Sequence, residues 1–185
     1  MSSYKEENRK RLINLLSHIK ADKNPIGWSH VTTVAVGGLL SVGFSKIGAY
    51  LLIVSHQGRG VINCETGEKI ARDDEPYAGL DSHELECLGI GPIDGEKIKL
   101  CSHNGGGLPQ ANSSGESLEL VAPNWPEYDL ILCRNHKNAF VPGHQSECNI
   151  IYSEHISAFG FSWCGNYIVA ACGSDLDVWR RNAKL

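Results

Sequence analysis

The chain has 185 residues, 42% hydrophobic and 21% charged, which excludes a disordered polymer and leaves room for one ordinary domain or a row of small repeats. Seventeen Lys and Arg against 21 Asp and Glu give a net charge of −4, which argues against an overall basic nucleic-acid binder. No apolar stretch approaches the roughly 20 residues of a membrane-spanning helix, so no membrane partner is expected.

Residues 3–21 are expected to form one helix. Leu12, Leu15, Leu16 and Ile19 recur at i, i+3, i+4 and i+7 and so share a face, and Ser3 and Glu6 stand at capping-box spacing. Asn24-Pro25-Ile26-Gly27 ends it, because proline disfavours helical geometry in the residue before it. A helix this short is marginal alone in water and must dock. Residues 1–25 carry six basic and three acidic residues, net +3, against −7 for the rest; this reads as a solvated helix face on an acidic body. The charged opening leads into no sustained apolar run and does not read as a secretion signal. A cytoplasmic location follows as the expectation, with the seven cysteines mostly reduced and buried as small hydrophobes.

After Gly27 the pattern changes to short runs of Val, Ile, Leu and aromatics separated by Gly, Asn, Asp and Pro. That is an all-β signature. Strands are expected over 30–36, 39–44, 49–55, 59–64, 85–90, 96–101, 117–122, 128–133, 149–153, 157–161, 166–172 and 175–180, with no second helix. The expected organisation is an N-terminal helix and linker over 1–27, then a single antiparallel β domain over 28–185.

The chain also repeats itself. Gly43-Phe44-Ser45-Lys46-Ile47-Gly48-Ala49-Tyr50-Leu51-Leu52 matches Gly160-Phe161-Ser162-Trp163-Cys164-Gly165-Asn166-Tyr167-Ile168-Val169 at an offset of 117, and the match extends to Val61 against Val178. Each copy reads as a strand, a tight turn ending at Gly48 or Gly165, and two further strands. Serine bonds the turn backbone and glycine supplies positive φ. This Phe-Ser-x-x-Gly-x-Tyr pattern, with the final Asp175-Leu176-Asp177-Val178-Trp179, resembles a blade of a WD-repeat β-propeller over about residues 39–72 and 157–181. The resemblance implies an antiparallel meander, either a small propeller-like array or a curved or sandwiched sheet. Gly58 to Glu68, Ala71-Arg72-Asp73 and Gly105-Gly106-Gly107-Leu108-Pro109 are similar to phrases of a family of small uncharacterised bacterial proteins, which implies a fold and no activity.

Four groups of residues are candidate sites. Cys133-x-x-His136 and His144-x-x-x-Cys148 supply two sulfurs and two imidazoles, the donor set of a structural zinc site, on a long loop between strands. The rival explanation is ordinary buried strand cysteines, and no cofactor is the default. Cys101 and His103 precede the glycine run Gly105-Gly106-Gly107, whose amides could cradle an anion and which resembles an oxyanion loop of some lipases. No Gly-x-Ser-x-Gly elbow accompanies it, so a flexible turn is the simpler reading. Arg72-Asp73-Asp74-Glu75 could bind a cation or basic partner, or be a solvated turn. Among the tryptophans, Trp163 stands at a turn position and is the best single exposed anchor.

No assembled catalytic set is visible. The leading expectation is a non-enzymatic binding protein with a protein partner, in a specific version an antitoxin-like immunity protein whose acidic body neutralises a basic toxin. A zinc-binding protein and, last, a hydrolase using the glycine loop are the rivals. A homodimer pairing edge strands is the default if the sheet stays open.

Overall fold

The computed structural model describes residues 3–103 and 105–183. In chain order its elements are α1 (Ser3–Leu16), β1 (Lys20–Ala21), β2 (Trp28–Ala35), β3 (Leu39–Phe44), β4 (Tyr50–Ser55), β5 (Gly58–Asn63), β6 (Lys69–Asp73), β7 (Leu80–Asp81), β8 (Glu86–Leu88), β9 (Lys97–Lys99), β10 (Cys101–Ser102), β11 (Gly105–Gly106), β12 (Ser117–Val121), β13 (Tyr128–Cys133), β14 (Cys148–Glu154), β15 (Ala158–Phe161), β16 (Tyr167–Ala171) and β17 (Asp175–Arg181). The all-β expectation is met, and every expected strand is present. The strands outside the expected ranges are the two-residue β1, β7 and β11 and the five-residue β6, Lys-Ile-Ala-Arg-Asp, whose side chains are mostly solvated.

The chain forms two compact units, Met1–Ile26 with Gln110–His155, and Gly27–Pro109 with Ile156–Leu185. One boundary falls after Ile26. The single β domain over 28–185 does not hold, because residues 110–155 fold with the helix. Backbone pairing is the reason: β1 lies parallel to β14 with Lys20 opposite Asn149 and Ala21 opposite Ile150. That pairing also corrects the helix, which ends at Leu16 rather than residue 21. The Ser17 hydroxyl and a His18 ring nitrogen bond the Asn14 carbonyl at 2.8 and 2.7 Å, satisfying one helix end.

In the first unit the sheet order is β1-β14-β13-β12. Its core gathers Leu16 and Ile19 from the N-terminal segment with Val121, Ile131, Cys133, Ala139 and Cys148. The burial of Leu16 and Ile19 is the docking that the apolar stripe demanded, while Leu12 and Leu15 are half-buried.

The second unit holds a six-stranded sheet, β11-β10-β3-β4-β5-β6, a four-stranded sheet, β15-β16-β17-β2, and a three-stranded sheet, β7-β8-β9. Among the described residues no sheet closes into a barrel or ring. The two repeat copies have the same register. Gly43 faces Leu52 as Gly160 faces Val169; Phe44 faces Leu51 as Phe161 faces Ile168; Leu52 faces Val61 as Val169 faces Val178. In both copies the serine N–H donates to the tyrosine carbonyl across the turn at 2.9 Å. Phe44 and Phe161 are both fully buried.

Each copy also has a fourth strand, from different directions. The chain continues from β5 into β6, whereas β17 is completed by β2 from the opposite end of the unit. Val61 pairs with Ala71 and Val178 with Thr32 at equivalent positions. The join between β2 and β17 is polar as well as apolar. The carboxylate of Asp177, only 3% exposed, accepts a 2.5 Å hydrogen bond from His30 Nε2 and another from the Thr33 hydroxyl. The His30 ring meets Trp179 edge-on at 5.5 Å, and the Arg181 guanidinium lies 4.5 Å over the Trp28 ring.

Two details of the turns differ from expectation. Gly165 has φ of +72°, as expected, but Gly48 does not adopt positive φ. Its role is space: a Cβ there would sit 2.7 Å from the Tyr50 ring. The Ser162 hydroxyl accepts from Tyr167 N–H within its own turn, while the Ser45 hydroxyl donates to Glu96, whose other oxygen takes the Lys46 N–H.

Candidate functional site

The repeat brings Lys46 and Trp163, equivalent positions of the two copies, onto each other. Lys46 Nζ lies 5.3 Å from the Trp163 ring, and the indole N–H donates to the Phe44 carbonyl at 3.0 Å. The indole is therefore held in place with 42% of the residue exposed, beside the turn where Ile47 is 70% exposed. Trp163 is an oriented exposed aromatic, as the turn position suggested.

The glycine run is a tight hairpin. Cys101 pairs with Gly106 and Ser102 with Gly105, and the Ser102 hydroxyl donates to the Gly105 carbonyl. A side chain at Gly106 would overlap the Leu100 carbonyl, so backbone packing alone requires glycine there; Gly107 stands in open space. Cys101 lies in the apolar core of the unit, and burial pushes its thiol upward, away from an activated nucleophile. His103 is exposed in the turn. Cys101 thus sits in the core and His103 in the exposed turn.

Of the four expected zinc donors, two come together. Cys133 and Cys148 face each other across β13 and β14, sulfur to sulfur at 3.4 Å, both buried. The histidines do not join them. His136 has φ of +56°, donates its N–H to the Gly115 carbonyl, and lays its ring against Gly115. His144 turns Nδ1 to the Asn138 N–H at 3.3 Å, and only its carbonyl reaches the Cys148 thiol. Among the described residues no group of three or more His, Cys, Asp or Glu is placed to hold a metal ion. The hydrogen bond between the thiols, then burial, pushes Cys133 up; the same bond holds Cys148 down, helped by Arg134.

Glu119 borders this pair. Its Oε1 accepts from Asn138 Nδ2 at 2.7 Å and from the Cys133 thiol, while Oε2 is buried with no partner among the described residues. Burial therefore raises this carboxyl. Between its ordinary value of 4.5 and the raised folded value, the folded chain binds more protons than the unfolded one, so stability falls as pH rises through that window. Glu119→Gln should remove that slope. Melting temperatures across pH 4–7 check it, and an unchanged slope refutes the assignment.

Sequence reading stopped at Arg72-Asp73-Asp74-Glu75, but the acidic signal runs on. From Asp73 to Glu96 there are eight carboxylates (Asp73, Asp74, Glu75, Asp81, Glu84, Glu86, Asp94 and Glu96) and no Lys or Arg. Counting charge along a window rather than looking for adjacent carboxylates would have found it. The three-stranded sheet β7-β8-β9 carries much of the stretch. Some of these groups are engaged. Asp73 takes the buried Arg59 guanidinium, and a Glu75 N–H together with Arg59 holds its carboxyl below the usual range. Glu86 pairs with Lys99 at 2.9 Å and Glu96 ties down the Ser45 turn. Asp74 pairs with Arg72 at 2.8 Å at the surface, its side chain 84% exposed; Glu84 is 58% exposed in its side chain, and Asp94 is exposed. Tyr77 is 63% exposed within the same stretch, near Leu88 in sequence at 40%.

No protein-family model matches the chain, and no curated protein matches it. No helix among the described residues is long and apolar enough to cross a membrane.

Proposed function

We propose that this is a non-enzymatic binding protein whose second unit, built on two propeller-type blades, presents an acidic surface to a basic protein. The observation that carries the reading is the stretch from Asp73 to Glu96, eight carboxylates without one compensating cation in sequence. Asp73, Asp74 and Glu86 are paired with Arg59, Arg72 and Lys99, and the remaining acidic excess steers an oppositely charged partner and sets association rate more than residence time. Exposed Tyr77 and Leu88 supply the apolar contact that charge alone does not. A hairpin frame with fixed register suits this role, since its loops are held while the surface they carry is read. Neutralisation of a basic toxin in the cytoplasm, as by an immunity protein, is the specific version that this charge favours.

The test uses chain immobilised as wild type and as Glu84→Lys/Asp94→Lys, exposed to extract of the source cells. The expected result is one dominant basic protein on the wild type, released by raising salt, whose association with the double variant at low salt is slower by about tenfold. Retention that ignores both salt and the substitutions, or retention of nothing above background, refutes the reading.

A further inference from the structure

The contact between Cys133 and Cys148 has a geometry of its own. Arg134 N–H donates to the Glu147 carbonyl at 3.0 Å, which gives residues 134 and 147 one bond of the hydrogen-bonded type, while Glu147 N–H turns to the His144 carbonyl. Pairs alternate along an antiparallel ladder, which makes the adjoining Cys133–Cys148 pair a non-hydrogen-bonded one. There the α-carbons approach to about 4.5 Å and side chains are closest, inside the span a disulfide bridges. The sulfurs lie 3.4 Å apart, on one side of the sheet and within one core.

We propose that Cys133 and Cys148 form a reversible dithiol–disulfide site that closes residues 134–147 into a covalent loop by exchange with small disulfides of the glutathione class. Cys148 is the first nucleophile. Its thiol lies at the mouth of the 134–147 loop, 3.4 Å from the His144 carbonyl, whereas the Cys133 thiol faces Glu119. It attacks one sulfur of glutathione disulfide, forming a mixed disulfide and releasing one glutathione thiolate. Cys133 then loses its proton and attacks the Cys148 sulfur, forming the internal disulfide and releasing the second glutathione. Two cysteine thiols are oxidised, one glutathione disulfide is reduced to two glutathiones, and charge and atoms balance. Both sulfurs are buried, so the 134–147 loop opens for the first step. This site stands independently of the acidic surface.

The experiment uses the full chain carrying Cys164→Ser, since Cys164 is the exposed thiol and would take glutathione by itself. The protein is equilibrated across a ladder of glutathione disulfide to glutathione ratios, quenched in acid, unfolded and alkylated. The expected result at the oxidising end is a fall from six free thiols to four, no added glutathione mass, and one linked peptide joining Cys133 to Cys148; dithiothreitol restores six. With Cys133→Ser added, Cys148 should retain a single glutathione. Six thiols throughout the ladder, or glutathione kept on Cys148 while Cys133 stays alkylatable, overturns the proposal. If the Cys133→Ser chain fails to fold, peptide mapping of the Cys164→Ser chain decides alone.

Discussion

Replacing Asp177 by alanine should destabilise the second unit by about 3 kcal/mol, the cost of breaking a buried charged hydrogen-bond network by removing one partner. The carboxylate is 3% exposed and receives His30 and Thr33 from β2, the strand that arrives from the other end of the unit. The loss is therefore concentrated at one seam. Without Asp177 the half-buried imidazole loses its carboxylate partner, the exposed Thr33 hydroxyl turns to water, and the β2–β17 pairing loses its polar lock. The Trp28 and Trp179 contacts remain as apolar holding. Hydrogen exchange of the β2 and β17 amides in increasing urea separates this from an even loss: those amides should lose protection first, ahead of β4 and β5. Asp177→Asn keeps an acceptor oxygen and should cost less than half as much. A loss below about 1 kcal/mol for the alanine variant, or exchange that rises equally across the unit, would sink the seam argument.

The same seam explains what could and could not be read in the residues. Strand positions were legible because alternation of Val, Ile and Leu with turn residues is local information, and all the expected strands occur. The repeat was legible because two distant stretches must satisfy the same packing, Phe before the turn and Tyr after it. Partner choice between strands is not local. Nothing in Trp28–Ala35 itself announces that it pairs with β17, and nothing in Lys20–Ala21 announces a parallel pairing with β14, so the division into units was missed. The candidate zinc set shows the same limit. Spacing in sequence brought two cysteines to adjacent strands, where register put them in contact. The histidines hang on irregular loop backbone whose direction depends on Gly115 and Asn138. The acidic surface was the opposite case: fully present in composition, and overlooked because adjacency was weighed above density.

Alanine at Gly43 and at Gly160 should each cost about 2 kcal/mol, because in both copies a neighbouring segment leaves no room for a Cβ, with positive φ adding to the cost at Gly160. Sequence reading assigned the conformational role to the second glycine of each copy, and only Gly165 takes it. The first glycine of each copy does something else. A Cβ on Gly43 would overlap the Lys99 carbonyl and lie 2.6 Å from Ile98 Cγ2, because the end of β9 crosses directly over it. A Cβ on Gly160 would overlap Leu108 and lie 3.1 Å from the Pro109 carbonyl, which also accepts the Phe161 N–H at 2.7 Å. In each copy a neighbouring segment runs against the strand at this one residue, Lys99 by its backbone at Gly43 and Leu108 by its Cβ at Gly160, where φ of +155° adds strain for any side chain. Overpacking of this kind costs about 1–3 kcal/mol, and neither the Lys99 carbonyl nor the Leu108 Cβ can swing aside without moving its own backbone. The control is Gly60→Ala, where the nearest atom to the added carbon is the Ala71 carbonyl at 3.7 Å, ordinary contact distance. Urea midpoints for the three variants should place Gly43→Ala and Gly160→Ala together, well below Gly60→Ala. If Gly43→Ala and Gly160→Ala match the Gly60 variant, backbone approach is not what the repeat encodes at that position, and the equivalence of the two copies would rest on register and the Phe–Tyr packing alone.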